Sequence, residues 1–248
     1  MTTLLPGQAA APEGPADLRM MYVMHFAFRR DLTDFGIAVR LTPASNGAAW
    51  RALLARWDLL STVLHDHHTK EDVVIWPLLR ERAEADGDSA ALAVLDAMDD
   101  EHDQIDPLLI RARTALEAMS TGNGAPDRSA LAAAFDEMKV CLEAHLAHEE
   151  RDANAILQAR IDGDEWDHLE RTRLRGGMSP RDLMIMLPWA FKALPDPMAT
   201  ELLDEAPLPL RVLLTLGKRR FRRLDEAAFG AVSDPGAFGT VLLDRRTP

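Results

Sequence analysis

Four long runs of this sequence repeat apolar residues at the spacing of an amphipathic helix, and each run also places histidine on its apolar stripe. Short polar turns containing Gly, Pro, Asn or Asp separate the runs. Four helices of similar length joined by short turns pack most simply as an up-down-up-down bundle. The pattern therefore predicts an all-α protein built on a four-helix bundle.

The predicted helices have bounds that follow from caps and breakers. The first begins after a predicted N-cap at Asp17, and a proline, Pro77, lies inside the second. Because proline lacks an amide donor, we expect Pro77 to kink that helix or to end its regular part. The four helices are predicted at about residues 18–42, 48–85, 89–119 and 128–162.

The bundle, residues 17–162, has a different composition from the two ends of the chain. Residues 1–16 are rich in Ala, Pro and Gly and are predicted to be a disordered tail. Residues 163–248 are interrupted by Gly and Pro and are predicted to form a C-terminal extension of short helices, at about 180–193 and 208–224, that packs on the bundle. The basic run KRRFRR is expected to face water while its apolar neighbours dock, with a patch for an anionic partner as the alternative.

Charge and cysteine usage restrict the compartment and the partners. The 248 residues include 28 Lys and Arg against 40 Asp and Glu, a net charge of -12, which argues against nucleic-acid binding. No apolar run approaches the roughly 18 residues that a membrane span needs, and residues 1–16 do not resemble a signal peptide. The single cysteine, Cys141, excludes an internal disulfide. We therefore expect a cytoplasmic protein that binds neither nucleic acid nor membrane.

Histidine and glutamate recur together on the apolar stripes. Two His-x-x-x-Glu pairs each present an imidazole and a carboxylate on one side of a helix. Counted from the turns at about 1.5 Å of rise per residue, the histidines of all four helices lie within roughly one or two turns of a common level. The predicted cluster comprises six candidate metal ligands: His25, His67, Glu71, His102, His145 and Glu149.

Such a cluster needs a cation, because burying unpaired imidazoles and carboxylates costs about several kcal/mol per group. Histidines and acids without partnering cysteines suit iron, manganese or zinc. Two carboxylates among four histidines suit a pair of metal ions bridged by carboxylate.

At these residues the chain resembles the hemerythrin family and its HHE cation-binding domains. The resemblance covers about residues 17–160 and rests on the order of His25, the pair His67-x-x-x-Glu71, His102, and the pair His145-x-x-x-Glu149, with VVIWPLL after the first pair. It implies a four-helix bundle around a non-haem di-iron centre, with both glutamates as bridging carboxylates and the histidines as terminal ligands.

Two further acids, Asp106 and Asp72, lie close in the sequence to the candidate ligands. Dioxygen-carrying hemerythrins have a further histidine four residues after the third-helix ligand, where this chain has Asp106. Asp106 is either a ligand or an acceptor for a histidine, and its presence disfavours reversible dioxygen carriage. Asp72 is predicted to lie on another face of its helix than Glu71.

The direction in which a side chain points from its helix predicts the surroundings of five other residues. Tyr22 faces the cluster and is either a participant, as ligand or hydrogen-bond donor, or a core aromatic residue. His65 and His68 point roughly 160° and 100° away from the first ligand pair and are predicted to be solvated. His148 either supports a ligand or is exposed, and Cys141 is expected to be a small buried hydrophobic residue.

Three functions fit this site. The leading hypothesis is a di-iron protein that binds or reacts with dioxygen, peroxide or nitric oxide in redox defence, including peroxide-decomposing activity of a catalase-like kind. The alternative is a non-enzymatic iron or oxygen sensor, or a storage module, that signals through the C-terminal extension. An oxidase with a small organic substrate is the third, and it requires an open pocket beside the metals.

Overall fold

The computed structural model describes residues 4–122, 128–174 and 179–230, and within them every regular element is helical, which confirms the all-α prediction. The α-helices are α1 Arg19–Leu41, α2 Gly47–Lys70, α3 Trp76–Asp86, α4 Ser89–Thr121, α5 Arg128–His148, α6 Asn154–Arg160, α7 Gly163–Leu169, α8 Pro180–Ala190, α9 Asp196–Glu205 and α10 Leu208–Phe229. Three π-helical segments follow α2, α5 and α7: Glu71–Ile75, Glu149–Ala153 and Glu170–Leu174. None of the described helices combines the length and apolarity needed to cross a membrane.

The predicted helices correspond to α1, α2 with α3, α4, and α5 with α6, and they form a helical bundle. α2 packs against α4, α4 against α5, and α5 against α1. Arg40 near the end of α1 pairs with Asp136 in the first half of α5 at 2.5 Å, and Arg113 late in α4 pairs with Asp58 in the middle of α2 at 2.8 Å. Such contacts join antiparallel neighbours.

Capping residues in the sequence predict the ends of the helices to within about one residue. The Asn46 side chain accepts a backbone N–H of the first turn of α2 at 3.1 Å, and Gly122 ends α4 with φ of 69°. α1 begins at Arg19, one residue later than the Asp17 cap predicts, although the Asp17 carboxylate still accepts the N–H of Arg19 at 3.0 Å.

Pro77 does not end the second helix; it lies in the first turn of α3, directly after a π-helical segment. The run passes from α2 through Glu71–Ile75 into α3, and the N–H of Trp76 bonds the carbonyl of Glu71, five residues back. The π turn is wider than an α turn, and it changes the positions of the backbone carbonyls that precede Pro77. Pro77 has no N–H to donate to them. The predicted distortion is therefore a widening of the helix that begins at a candidate ligand.

The half of the bundle opposite the histidines is a closed aromatic core. Phe35 stacks on Phe135 with ring centroids 5.4 Å apart, and Trp57 meets Phe135 edge-on at 5.1 Å. Phe229 at the end of α10 adds a third aromatic contact to Phe35 at 5.0 Å. These aromatic contacts contribute to the packing of this half, whereas the opposite half contains the buried histidines.

Residues 4–16 contain no helix, yet they are attached to the bundle. The N–H of Ala9 donates to the Glu150 carboxylate at 2.7 Å, and Ala16 exchanges two hydrogen bonds with the side chain of Gln158. Leu5 and Ala16 are buried. The tail prediction rested on composition alone and could not detect these long-range contacts.

The C-terminal extension is more helical than its prolines suggested. α7 and α9 were not predicted, and α10, with 22 residues, is longer than the short helix expected there. Prolines lie in the first turns of α8, α9 and α10, where the missing amide donor costs nothing. They start these helices, whereas the sequence interpretation treated them as breakers.

α10 docks on α8 and α2 through its apolar side, as expected for the basic run. Leu214 and Phe221 are buried, while Arg219 and Arg222 are exposed. At Gly217 an added Cβ would lie 1.7 Å from the carbonyl oxygen of Met184, so the α8 and α10 backbones approach as closely as glycine permits.

Candidate metal centre

All six candidate ligands lie in the interior of one half of the bundle. His25 is on α1, His67 on α2, His102 on α4 and His145 on α5. Glu71 and Glu149 are the first residues of two π-helical segments. Four of the six are at most 1% exposed, and only His67 has a noticeably accessible side chain, at 12%. The structure therefore brings together the groups that the height argument placed at one level.

Four of these side chains form a first group: His25, His67, Glu71 and Glu149. One ligand atom of each lies within 4.8 Å of the others. The Nε2 atoms of His25 and His67 are 3.2 Å apart, His25 Nε2 lies 3.2 Å from Glu149 Oε2, and His67 Nε2 lies 3.0 Å from Glu71 Oε1. Two imidazoles and two carboxylates thus converge on one point.

A second group consists of three histidines: His68, His102 and His145. The ring of His68 stacks on His102 with centroids 4.0 Å apart, and the His102 and His145 rings meet at 4.7 Å. The prediction that His68 is solvated is wrong, because this residue is only 3% exposed. α2 has neighbours on two sides, so His67 faces α1 while His68, about 100° further round, faces α4 and α5.

The two carboxylates lie between the groups. Glu71 directs Oε1 at His67 of the first group and Oε2 toward His102 Nε2 of the second, at 3.6 Å. Glu149 Oε2 lies 3.2 Å from His25 and 3.9 Å from His145 Nε2. Each glutamate therefore has one histidine of either group within 4 Å, which is an arrangement able to serve two ions at once.

Three further acids hold the histidines from outside. The Nδ1 atom of His25 lies 2.9 Å from Glu150, that of His102 lies 2.7 Å from Asp72, and that of His145 lies 2.8 Å from Glu101; these acids are all outside the two groups. A carboxylate on Nδ1 fixes the ring and leaves Nε2 as the donor atom toward the interior.

The sequence interpretation missed these three acids. Asp72 lies on another face than Glu71, as predicted, but its carboxylate reaches across to α4. A signal was present: each candidate ligand glutamate is followed by an acid, Asp72 after Glu71 and Glu150 after Glu149. Each of those acids bonds a histidine of another helix. The repeated unit is His-x-x-x-Glu-acid, longer by one residue than the pair that was recognised.

Replacing Asp72 by alanine is expected to weaken metal binding about 10- to 100-fold, because His102 loses the carboxylate that orients its ring. Competition with a chromophoric chelator measures this change. The matched control is Asp100→Ala, which removes an exposed carboxylate on α4 that bonds neither group. Equal affinities in the two variants would contradict the orienting role of Asp72.

Most protonation states in the cluster suit a cation, and His25 is the exception. Although burial opposes it, Glu149 and Glu150 raise the pKa of His25 to about 9, so a metal ion would displace a proton from this ring. Burial lowers the pKa of His67 to about 3, and it lowers the pKa values of His68 and His145 as well, so these imidazoles are neutral near pH 7. Burial, together with the nearby charge of Glu149, raises the pKa of Glu71 well above its usual value. Metal ions bind neutral imidazole and ionised carboxylate, and a bound cation would let Glu71 ionise.

The cluster also leaves many buried polar atoms without a hydrogen-bond partner among the described residues. They are both nitrogens of His68, Oε2 of Glu71, Oε1 of Glu149, and Nε2 of His102 and of His145. Native proteins rarely leave such atoms unpaired, and an ion is one of the standard explanations. The donor set therefore fits a metal pair.

Other predicted participants lie around the two groups. The Tyr22 hydroxyl is buried without a hydrogen-bond partner among the described residues, and burial with the charges of Glu150 and Glu149 raises its pKa. Asp106 belongs to neither group. His148 shares Glu101 with the ligand histidine of α5 at 2.8 Å. His65 is exposed, as predicted.

The family comparison agrees with this geometry. The model of the family described as "Hemerythrin HHE cation binding domain" matches residues 16–157, which contain both groups and the three acids behind them. This match confirms the resemblance predicted from the motif order. No curated protein and no solved structure matches the chain.

Proposed function

Because the chain belongs to the hemerythrin HHE cation-binding family, we propose that it holds two iron ions between its two side-chain groups and reacts with dioxygen, peroxide or nitric oxide. Glu71 and Glu149 would bridge the ions, with His25 and His67 as terminal ligands on one side. The second group would hold the other ion. In this proposal the protein acts in cytoplasmic redox defence.

The position of the two glutamates between the groups is the observation that supports two ions best. Each carboxylate lies within 4 Å of a histidine from both groups. Nitrogen and oxygen donors without thiolate suit iron, with manganese and zinc as the other candidates. A carboxylate-bridged iron pair, when bound, exchanges electrons with small oxidants.

His68 changes the argument about Asp106. The sequence lacks the second α4 histidine of dioxygen-carrying hemerythrins, but a third imidazole reaches the second group from α2. His68 of α2 thus supplies the imidazole that the missing α4 histidine would have supplied. This geometry supports a full set of five imidazoles and leaves Asp106 unnecessary as a ligand.

The chain's own residues would control access and proton supply. Phe28 is fully buried and packs on the His67 ring with centroids 5.6 Å apart, which excludes water from that side of the first group. The Tyr22 hydroxyl lacks an acceptor among the described residues and is close enough to Glu149 for its charge to raise the Tyr22 pKa. In this proposal the Tyr22 hydroxyl donates a hydrogen bond to a small oxidant.

The test is peroxide consumption by iron-loaded protein, together with metal analysis and optical spectra under air, azide and peroxide. We expect two ions per chain and rapid peroxide loss, and we expect Glu71→Ala and His102→Ala to abolish that loss. Asp103→Ala is the matched control, because this exposed acid adjoins His102 on the outer face of α4.

Protein that binds two ions and leaves peroxide untouched would contradict the enzymatic version. It would favour the sensor or storage alternative. One observation supports that alternative: residues of α8, α9 and α10 line the same cavity as His67 and Glu71. A change at the first group would then reach the C-terminal extension directly.

A further inference from the structure

A cavity of about 470 Å³ lies between the bundle and the C-terminal extension. α1 and α2 contribute Met20, Met24 and Val63, and α8, α9 and α10 contribute Leu187, Leu202 and Leu210. The cavity is partly open to solvent, and its wall is mainly apolar. A space of this size and lining is typical of a ligand site.

The cavity ends at the first group of the metal centre. His67 and Glu71 are part of its wall, together with Ile75 from the same π-helical segment. His67 is also the most exposed side chain of the first group, at 12%. A molecule in the cavity would therefore touch the first group directly, and the second group lies behind it.

The charged side chains around the cavity include more acids than bases: Asp17, Asp66, Glu71, Glu170 and Glu205 against Arg19, Lys70 and Arg211. Arg19 pairs with Asp17 at 2.6 Å and with Glu201 and Glu205 at 2.7 Å, and Lys70 on α2 pairs with an aspartate one turn earlier at 2.6 Å. Arg19 and Lys70 are thus engaged by the protein's own acids, and the acids around the cavity still outnumber the bases when Arg211 is counted, which disfavours a carboxylate or phosphate. The rim favours a neutral molecule.

We propose that this cavity binds a neutral aliphatic molecule, with one end against His67 and Glu71. The volume equals about sixteen groups of roughly 30 Å³ each, which corresponds to a chain of about ten to sixteen non-hydrogen atoms. Met20 and Met24 are unbranched and adapt to the irregular outline of such a chain. Binding depends on the cavity alone; only a role of the molecule as substrate at the centre rests on the proposed function.

Calorimetric titration of the full chain with 1-decanol tests the proposal. We expect saturable binding of one molecule per chain, with or without metal, and binding at least about tenfold weaker for decanoate, since burying its charge without a partner is unfavourable. In iron-loaded protein, 1-decanol is also expected to shift the optical spectrum, because the molecule ends at metal ligands.

Two cavity-filling variants and one matched control complete the experiment. Leu210→Trp and Leu202→Trp each add a ring at the cavity wall and are expected to raise the Kd for 1-decanol about tenfold, the loss of burial of about two methylene groups. Leu216→Trp makes the same exchange on the exposed side of α10 and is expected to change nothing. Circular dichroism confirms that each variant is folded.

Two results would overturn the proposal. The first is a full chain that binds neither probe saturably, as expected if water or another segment fills the cavity. The second is a folded Leu210→Trp or Leu202→Trp variant that binds 1-decanol as tightly as Leu216→Trp. Neither result depends on whether the chain binds iron, since the titration is read in metal-free protein.

Discussion

Glu71→Ala protein is expected to lose both metal ions, whereas His68→Ala protein is expected to retain one. Glu71 lies 3.0 Å from His67 of the first group and 3.6 Å from His102 of the second, so its removal takes a ligand from both positions. His68 offers a ligand atom only to the second group, and the four candidate ligands of the first group remain without it.

Metal content per chain after iron loading and desalting measures this difference. The expected values are about two ions for the unchanged protein, about one for His68→Ala and close to zero for Glu71→Ala. Asp106→Ala is the control and should keep both ions, since Asp106 belongs to neither group. If Asp106→Ala loses an ion while His68→Ala keeps two, the sequence pattern was the better guide and the assignment of His68 to the second group is wrong.

The bundle and the convergence of the six candidate ligands could be predicted because helix geometry alone determines the direction and height of each side chain. His67 and Glu71, four residues apart, must share a face, and short turns must return the next helix to the same level. These arguments need no knowledge of which helices are neighbours. They therefore predicted which groups come together in the described structure.

His68 could not be placed by the same reasoning. Its direction was measured from a single interior line through His67, whereas α2 contacts helices on two sides. A residue 100° away can then be as buried as the first, and which of the two neighbours it meets is decided by the packing of the whole bundle. The supporting acid Glu101 was missed for the same reason, since it lies one residue before His102 and reaches α5.

The C-terminal extension shows where composition was insufficient. Pro197 and Pro209 read as interruptions in the sequence, but a proline in a first helical turn is indistinguishable by composition from one that ends a helix. The cavity could not be predicted either, because its walls come from segments up to about 190 residues apart that share no sequence pattern. Helix propensity and capping rules predict individual helices from the sequence. A site formed between helices can be identified only once their packing is known.

Replacing Arg56 by methionine is expected to destabilise the metal-free protein by roughly 2 kcal/mol. This is below the about 3 to 5 kcal/mol that is usual for breaking a buried ion pair, because Asp31 keeps Arg30 and Asp225 keeps Lys192. Arg56 is fully buried on α2 and bonds Asp31 of α1 at 2.7 Å and Asp225 of α10 at 3.1 Å. It also lies over the Phe221 ring at 5.0 Å, so one side chain joins the extension to the bundle. Urea unfolding followed by circular dichroism measures the loss.

Arg113→Met is the matched control, because the Arg113 pair with Asp58 is half exposed and is expected to contribute only about 0 to 1 kcal/mol.

The pH dependence of the free energy of unfolding provides a second measurement. Although burial opposes it, Arg56 is the foremost group holding the pKa of Asp31 well below its usual value. A depressed carboxyl pKa contributes stability above its unfolded value of about 3.9, and that contribution is lost as pH falls toward the folded value. The gap between unchanged and Arg56→Met protein should therefore be full above about pH 4 and narrow below it; a gap independent of pH would mean that Arg56 acts through packing on Phe221 and not through Asp31.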